Sequence, residues 1–389
     1  MNLGVYIQVP FCQTKCTYCN FHTGVFSSQM YRPYVRAVCN ELAGHPALYA
    51  KENLPIPGGD WSALVVDTVY IGGGTPSLLA PRELARMLEI LCAYFRSALH
   101  EVTLEADPET ITAAKAAAWR RAGINRISMG VQSFSDTELK AAGRMHRRDD
   151  VAQATRALRR AGFGNLSFDL IAGLPHQTAA SWDDSVSQLL RLRPEHVSIY
   201  MMEIDEGSRL GREVISGGSR YSASALPNDD QMADFYDGAC ARLKTEGYEH
   251  YEISNFGLPG FHSAHNLKYW NREPYLGFGA GAHSFNGTER WANVHDPAAY
   301  TAALQQGHLP VEQREQITTL QALQEELFLG LRQLAGIDLA RIEREYNVSL
   351  RPKLERLFEQ GLIEWIGERV RLAPSHLTIS NEVFVELLG

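Results

Sequence analysis

Residues 5–22 read VYIQVPFCQTKCTYCNFH and join an apolar, β-branched run to three closely spaced cysteines. The run at residues 5–9 has the composition of a buried strand, and the proline that follows ends it. Cys12, Cys16 and Cys19 then lie within eight residues. Because the loops after the strands of an α/β fold carry its chemistry, this stretch predicts a strand that presents three thiol groups at a functional edge.

Five further strand-like runs alternate with amphipathic, helix-like segments over the first two thirds of the chain. The predicted strands cover residues 65–71, 102–105, 126–131, 167–171 and 197–202. The predicted helices cover residues 82–97, 110–122, 150–161, 180–192 and 228–246. Repeated alternation of this kind predicts a parallel sheet with crossover helices, either a barrel-like wrap or an open doubly wound sheet.

Polar and glycine residues fall where these strands end. A glycine run at residues 72–74 follows the second strand, and Glu105 ends the third. Gln132 follows the fourth strand, and Asp169 lies late in the fifth. Each residue alone is as well explained by a helix cap or a solvated charge. Their shared position at one edge of the predicted sheet favours a binding site there.

The composition is that of an ordinary globular protein, with 389 residues, 45% hydrophobic and 21% charged residues, and a formal net charge of −8. It excludes a largely disordered chain, and the acidic balance argues against a general nucleic-acid binder, which carries a basic stripe. No apolar run is long enough to cross a bilayer, and the first residues lack a secretory signal pattern. We therefore expect a cytosolic protein, for which peripheral membrane contact stays open.

The last third of the chain has a different pattern. Residues 248–285 are dense in aromatic, histidine and glycine residues and show no clear periodicity. From residue 318 onward, the sequence predicts a compact module of helices with a hairpin that turns at Gly367 and Glu368. Its predicted helices cover residues 322–334, 339–346, 350–360 and 381–388, and its predicted strands cover residues 362–365 and 370–372. This order is typical of a winged-helix-like module, and its acidic composition argues against DNA binding.

Three cysteines this close together indicate a metal site. Thiolate sulfur favours zinc or an iron–sulfur cluster over hard cations. A four-iron cluster held by three cysteines leaves one iron without a protein ligand, so that iron can bind a small molecule. The alternative is a zinc site completed by His22, although no distant Cys-x2-Cys pair is present to supply a second half-site. Cys39, Cys92 and Cys240 are isolated and are expected to be small core residues.

The cysteine pattern and its flanking residues resemble the radical S-adenosylmethionine (SAM) enzymes, in particular the family of oxygen-independent coproporphyrinogen III oxidase and its relatives. The resemblance covers almost the whole chain, because six further motifs occur in the family's order. They are Gly72-Gly-Gly-Thr75-Pro-Ser, Glu105-Ala-Asp-Pro108, Gly130-Val-Gln132-Ser-Phe134, Gly143-Arg144-Met-His146, Phe168-Asp169-Leu-Ile-Ala-Gly173-Leu-Pro175 and His265-Asn-Leu-Lys-Tyr-Trp270. Each motif alone is weak, but together they are highly specific.

The resemblance implies a fold and a division of the chain. The fold is of the α/β class, a partial (β/α)6 TIM-like barrel of the radical SAM type with a C-terminal α+β winged-helix-like module. Residues 1–250 are expected to form the partial barrel, and residues 251–317 a connecting segment that contains the HNLKYW motif. Residues 318–389 are expected to form the C-terminal module.

The resemblance also implies a [4Fe-4S] cluster on Cys12, Cys16 and Cys19, whose open iron binds SAM. One electron from the reduced cluster then cleaves SAM to methionine and a 5′-deoxyadenosyl radical. In this family the glycine run faces the methionyl part of SAM, and acidic side chains suit its amino or hydroxyl groups, while an arginine suits its carboxylate. The SAM contacts implied by family position are Tyr6, Tyr18, Gly73, Gly74, Thr75, Glu105, Gln132, Arg144 and Asp169.

Within the family, the motifs resemble the haem-chaperone branch more closely than the decarboxylating oxidases. The oxidases carry a further cysteine two residues after the third cluster cysteine, where this chain has Phe21. The HNLKYW motif matches the signature of the haem-chaperone branch and makes His265 the expected haem-iron ligand. On residue type alone, His265 is equally well explained as a hydrogen-bonded core histidine, and His262 and His283 stay open as alternative ligands.

The remaining residues of the motif suit the rest of a haem molecule. Tyr269 and Trp270 are expected to pack on the macrocycle, and Lys268 or Arg272 to meet the propionates. Three hypotheses follow. The first is a haem chaperone that binds a [4Fe-4S] cluster, SAM and haem and transfers haem to an acceptor protein; whether SAM is cleaved in turnover stays open. The second is the oxidase, which converts propionates to vinyl groups. The third is a zinc-stabilised binding protein.

Overall fold

The computed structural model describes residues 1–388, and a twelve-stranded mixed sheet forms its centre. The strands in this range are β1 (Asn2–Val9), β2 (Val65–Gly73), β3 (Ser97–Ala106), β4 (Arg126–Gln132), β5 (Leu166–Ala172), β6 (His196–Met201), β7 (Glu249–Glu252), β8 (Asn255–Gly257), β9 (Tyr275–Phe278), β10 (His283–Phe285), β11 (Glu289–Asn293), β12 (Val311–Gln316), β13 (Ile337–Asp338), β14 (Ile363–Ile366) and β15 (Arg369–Leu372). The α-helices are α1 (Tyr31–Lys51), α2 (Pro81–Tyr94), α3 (Ala113–Arg121), α4 (Asp136–Ala141), α5 (Arg148–Arg160), α6 (Ala179–Leu192), α7 (Arg209–Ile215), α8 (Asp229–Thr245), α9 (Ala264–Trp270), α10 (Pro297–Gln305), α11 (Thr319–Leu331), α12 (Leu339–Tyr346), α13 (Arg351–Glu359) and α14 (Ser380–Leu388).

Strands β1 to β6 run parallel and lie beside one another in chain order, with helices in the connections between them. Each helix buries one apolar stripe, as α2 does with Leu84, Met87, Leu88 and Leu91. Strand β8 pairs antiparallel with β6 and is followed outward by β7. On the other side, β9 pairs parallel with β1 and is followed by β10, β11 and β12. The predicted parallel sheet with crossover helices is confirmed.

The side chains of β4 show how the sheet encloses a site. Ile127, Met129 and Val131 are apolar and fully buried. Arg126 and Ser128 alternate with them, so they point to the opposite face and line a cavity there. Residues of β2, β3, β5 and β6 line the same cavity. The sheet therefore curves around this cavity as a partial barrel.

Helix α2 differs from its prediction both in its end and in the burial of its cysteine. The predicted helix at residues 82–97 is too long, because α2 ends at Tyr94 and Ser97 already begins β3. Cys39 is buried as expected and Cys240 is half-buried, but Cys92 is exposed. The core prediction for Cys92 is wrong because this residue follows Leu91 on α2, and one residue turns a helix by about 100° away from the buried stripe.

The segment without clear periodicity, residues 248–285, contains four short strands, β7 to β10, and is followed by β11 and β12. These six strands extend both ends of the parallel sheet. The segment also contains α9, which carries the HNLKYW motif. In the C-terminal module, the predicted hairpin is formed by β14 and β15, and β13 adds a third strand that the sequence did not indicate. No helix within residues 1–388 combines the length and apolar character that crossing a membrane requires.

Candidate cofactor site

The three cysteines lie on a loop of residues 10–27, called the cysteine loop below. Its base is closed by two backbone hydrogen bonds: the Cys12 amide donates to the Gly24 carbonyl over 2.8 Å, and the Gly24 amide donates to the Pro10 carbonyl over 3.0 Å. Phe11 is fully buried and stacks on Tyr31, with ring centroids 4.3 Å apart. The aromatic side chain immediately before the first cysteine thus anchors the loop.

Two other parts of the chain hold the tip of the cysteine loop. The Thr17 amide donates to the Ala142 carbonyl at the end of α4 over 3.0 Å, and the Leu210 amide donates to the Thr17 carbonyl over 2.8 Å. Arg209 also donates to the Lys15 carbonyl. The loop therefore receives its shape from distant segments as well as from its own residues.

The glycine run after β2 packs directly against the cysteine loop. The Gly74 amide donates to the Val9 carbonyl over 2.8 Å, and the Thr75 amide donates to the Phe11 carbonyl over 2.7 Å. A Cβ atom on Gly74 would lie 2.5 Å from the Phe11 carbonyl oxygen and 2.9 Å from the Cys12 Sγ. Only glycine fits at this contact between the two loops.

A cavity of about 470 Å³ opens at the carboxyl ends of the parallel strands. Its size is within the range of small-molecule sites. Of the predicted site residues, Tyr6 and His265 are not in its lining. The predicted residues that line it are Cys12, Cys16, Cys19, Tyr18, Gly73, Gly74, Thr75, Glu105, Gln132, Arg144 and Asp169.

Glu105 accepts two hydrogen bonds at the edge of this cavity. The Tyr70 hydroxyl and the Gly73 amide each donate to its carboxylate over 2.9 Å. Burial raises the pKa of Glu105 to about 7, while these two hydrogen bonds act in the opposite direction. Glu105 can therefore exist near neutral pH either as a carboxylate acceptor or as a protonated donor.

Arg144 is already engaged by groups of the protein. Its guanidinium forms an ion pair with Asp107, donates to the Gly130 carbonyl over 2.8 Å and reaches the Cys16 Sγ at 3.6 Å. Asp107 also accepts a hydrogen bond from the Thr75 hydroxyl over 2.9 Å. The predicted contact of Arg144 with a SAM carboxylate stays a prediction, and its visible interactions are with Asp107 and a cluster cysteine.

Gln132 and Asp169 contribute acceptors from neighbouring strands. Gln132 has a left-handed backbone with φ +64°, and its buried Oε1 has no hydrogen-bond partner within residues 1–388. A strained residue with an unpaired polar atom in a cavity is typical of a ligand contact. Burial raises the pKa of Asp169, which accepts a hydrogen bond from Ser128 over 3.3 Å.

Several residues that line the cavity were not predicted from the sequence. Arg126 lies on it with almost no exposed surface, and its Nε has no hydrogen-bond partner in the described chain. Ser198 and Tyr200 of β6 also line it. The signal was present, because a polar or small residue occupies every second position from Arg126 to Gln132, which is the pattern of a strand with one polar face.

Asn266 of the HNLKYW motif lines the cavity, but His265 does not. The ring nitrogens of His265 contact the Thr68 hydroxyl and the Tyr269 hydroxyl, each at 2.9 Å. Burial lowers the pKa of His265 to about 3. Trp270 packs beneath the Arg332 guanidinium at 4.6 Å. His265 therefore occupies the position of a hydrogen-bonded core histidine, and its role as a haem ligand stays a prediction.

The neighbouring residues of the motif are also engaged within the protein. Lys268 is buried and pairs with Asp67 at 3.0 Å, and Arg272 pairs with Glu325 at 2.8 Å. Of the two alternative histidines, His262 stacks on Tyr251 with ring centroids 4.1 Å apart, whereas His283 is exposed at the start of β10. Of the three histidines predicted as candidate haem ligands, His283 is thus the accessible one.

The residues present fit an iron–sulfur cluster. Three cysteine side chains line one cavity, and the Arg144 guanidinium supplies a hydrogen bond to one of the sulfur atoms, a type of contact that tunes such clusters. Burial raises the pKa of the free Cys12 thiol to about 11, so bound metal would have to favour its thiolate form. His22, the fourth ligand of the zinc alternative, stacks on His295 with ring centroids 3.9 Å apart.

Comparisons of the sequence with known proteins identify the related families. Residues 6–189 match the radical SAM superfamily, and residues 317–375 match the HemN C-terminal domain. "Heme chaperone HemW" of Bacillus subtilis is 34% identical and that of Lactococcus lactis is 32% identical; the alignments cover 99% of this chain in both cases and 99% and 97% of those proteins.

Among solved structures, coproporphyrinogen III oxidase (HemN) of Escherichia coli has the same fold. The TM-score is 0.81 at 20% identity, with 99% of this chain and 89% of that chain covered. The likeness confirms the α/β architecture that the motifs implied. Together with the nearly full-length similarity to HemW proteins, it shows that this chain belongs to the HemW family of the radical SAM superfamily.

Proposed function

We propose that this protein is a haem chaperone that holds a [4Fe-4S] cluster on Cys12, Cys16 and Cys19, binds SAM beside it, and delivers haem to an acceptor protein in the cytoplasm. The observation that carries the proposal is the similarity to HemW proteins over nearly the whole chain. The cavity supports it, because three cysteines, a glycine edge and several acceptors line one space of suitable size.

The groups around the cavity suit different parts of SAM. The Gly73 and Gly74 backbone allows close approach of the methionyl part, and the unpaired Gln132 oxygen can accept from a donor on the ligand. Glu105 and Asp169 can accept from amino or hydroxyl groups. When bound, the reduced cluster supplies an electron to SAM. The chain's own part is to fix the ligand and to exclude water from it.

We further propose that His265 is a structural, hydrogen-bonded core histidine and does not bind haem iron. Its two ring nitrogens would have to leave Thr68 and Tyr269 before either could coordinate a metal. Its neighbours support the same role, since Trp270 packs on Arg332 and Lys268 neutralises Asp67. His265, Lys268 and Trp270 therefore act as structural residues beside the site.

The second candidate is the decarboxylating oxidase, and the shared fold favours it. At 20% identity, however, the likeness to that oxidase concerns the fold alone. This chain has Phe21 where the oxidases carry a further cysteine. We therefore place the oxidase second and do not propose the zinc-stabilised alternative, because the chain belongs to the radical SAM superfamily.

The test is purification without oxygen, reconstitution with iron and sulfide, and titration with haem. We expect iron–sulfur absorbance that is lost in Cys16→Ala and kept in Cys92→Ala, which removes an exposed thiol outside the cavity lining. We expect stoichiometric haem binding and transfer to an acceptor. A colourless zinc protein would contradict the proposal, and vinyl formation from coproporphyrinogen III with SAM and reductant would favour the oxidase.

A further inference from the structure

We propose that haem binds on the outer surface beside the cysteine loop, with its iron on an imidazole of a cluster formed by His22, His283 and His295. This cluster, together with the exposed Phe21 and Val25, is called the histidine face. The inference rests on the proposed haem-chaperone function, and it names the surface that would carry the haem.

Two loops bring the three histidines together. His22 lies on the cysteine loop and stacks on His295, which follows β11, with ring centroids 3.9 Å apart and an angle of 28° between the planes. The Gly281 amide donates to the Val294 carbonyl over 2.9 Å. A Cβ on Gly281 would lie 2.8 Å from the His295 Nδ1, so this ring rests on the turn that leads directly into His283.

The imidazoles of His22 and His283 are exposed and therefore available for coordination, unlike that of His265. The Nδ1 of His295 is buried and has no hydrogen-bond partner within residues 1–388. Burial and the neighbouring His295 lower the pKa of both His22 and His283. The neutral imidazole is the form that binds iron, and these rings are therefore ready to coordinate at neutral pH.

The face suits haem better than a bare metal ion. Within residues 1–388, these three histidines are not arranged to hold one bare metal ion together, whereas haem iron takes four nitrogens from the porphyrin and needs only an axial imidazole. Phe21 and Val25 are 66% and 63% exposed beside His22, and such apolar side chains can cover a macrocycle. Lys15 lies close enough to act on the charge of His22 and offers an ammonium group for a propionate.

The experiment is a haem titration of the reconstituted protein, followed by the Soret band and by electron paramagnetic resonance. The triple variant His22→Ala/His283→Ala/His295→Ala is expected to lose the signature of imidazole ligation and to bind haem roughly tenfold or more weakly, since a coordinating contact is removed. Free imidazole should restore the spectrum. His308→Ala removes another exposed histidine and should change neither measurement.

Each other result overturns the inference. An unchanged spectrum and affinity in the triple variant, with haem still bound, would show that haem does not bind at the histidine face. It would not contradict the proposed chaperone function. Loss of the imidazole signature in His265→Gln, at unchanged thermal stability, would assign the ligand to His265. Binding of Zn²⁺ alone that depends on the three histidines, without an effect on haem, would make the face a bare-ion site. Failure of the native protein to bind haem would contradict the proposed function itself.

Discussion

At the scale of single residues, Gly74 sets the distance between the glycine run and the cysteine loop. Gly74→Ala should lower the free energy of unfolding by about 1–3 kcal/mol, because the new methyl group overlaps the Phe11 carbonyl and the Cys12 sulfur. Iron content after reconstitution should fall as well. Gly164→Ala is the matched control, since a Cβ there meets nothing within 4 Å. Equal iron loading in the two variants would contradict this reading of the contact.

Arg126 is a buried cation without an ion-pair partner in the described chain. Its one hydrogen bond is a long one, 3.4 Å to the Thr103 hydroxyl. We expect Arg126→Met to leave the free energy of unfolding unchanged or to raise it by up to about 4 kcal/mol, because the cost of burying the charge disappears. The measurement is urea unfolding of the protein without ligands.

Arg332→Met provides the contrast to that substitution. Arg332 pairs with Glu252, whose side chain is completely buried, so its removal leaves an uncompensated charge. We expect a loss of about 3–5 kcal/mol. If Arg126→Met were equally destabilising, the carboxylates around the cavity would have to neutralise Arg126 from a greater distance.

At the scale of elements, the sequence was most informative where hydrophobic patterns were regular. Strands β1 to β6 were all predictable from their apolar runs, and most of the predicted site residues line the cavity, because strand ends converge at one edge. Strands β7 to β12 were not predictable, since they are three to six residues long and take their pairing from distant partners. The position of His265 could not be predicted from the sequence either, because the motif does not show how α9 packs against β2.

A buried carboxylate joins α1 to the turn between β9 and β10. Glu41 accepts hydrogen bonds from the Gly279 amide over 2.9 Å, from the Asn293 amide group over 2.8 Å and from the Tyr300 hydroxyl. Burial raises its pKa to about 7 from 4.5. The folded state thus binds this proton more tightly than the unfolded state does, and stability from this group is present below pH 4.5 and is lost as the pH rises to 7.

Glu41→Gln should remove that pH dependence. Between pH 4.5 and 7, the native protein should lose about 3 kcal/mol of stability relative to the variant. Urea unfolding at the two pH values measures the difference. Glu355→Gln, at an exposed site, should follow the native protein at both values. A constant difference between native protein and Glu41→Gln would show that folding does not raise the pKa of Glu41.

At the scale of the whole molecule, the cysteine loop needs the rest of the fold for its shape more than the rest of the fold needs the loop for its stability. Backbone hydrogen bonds to Gly24, Ala142 and Leu210 hold it without any metal. Removal of the cluster by a chelator should therefore leave the near-ultraviolet circular dichroism in place and lower the Tm by less than about 5 °C. Cooperative unfolding on chelation would show that the metal organises the barrel.

The bond between Thr17 and Leu210 has a consequence for biogenesis. During translation the cysteines leave the ribosome about 190 residues before Leu210, an interval of about 10–40 s at ordinary elongation rates. Throughout that time the cysteine loop is not folded, and its thiols are accessible to oxidants. The cysteine loop can therefore take the shape seen here only after more than half of the polypeptide has been made, and cells that grow in air would gain from a factor that shields the nascent amino terminus.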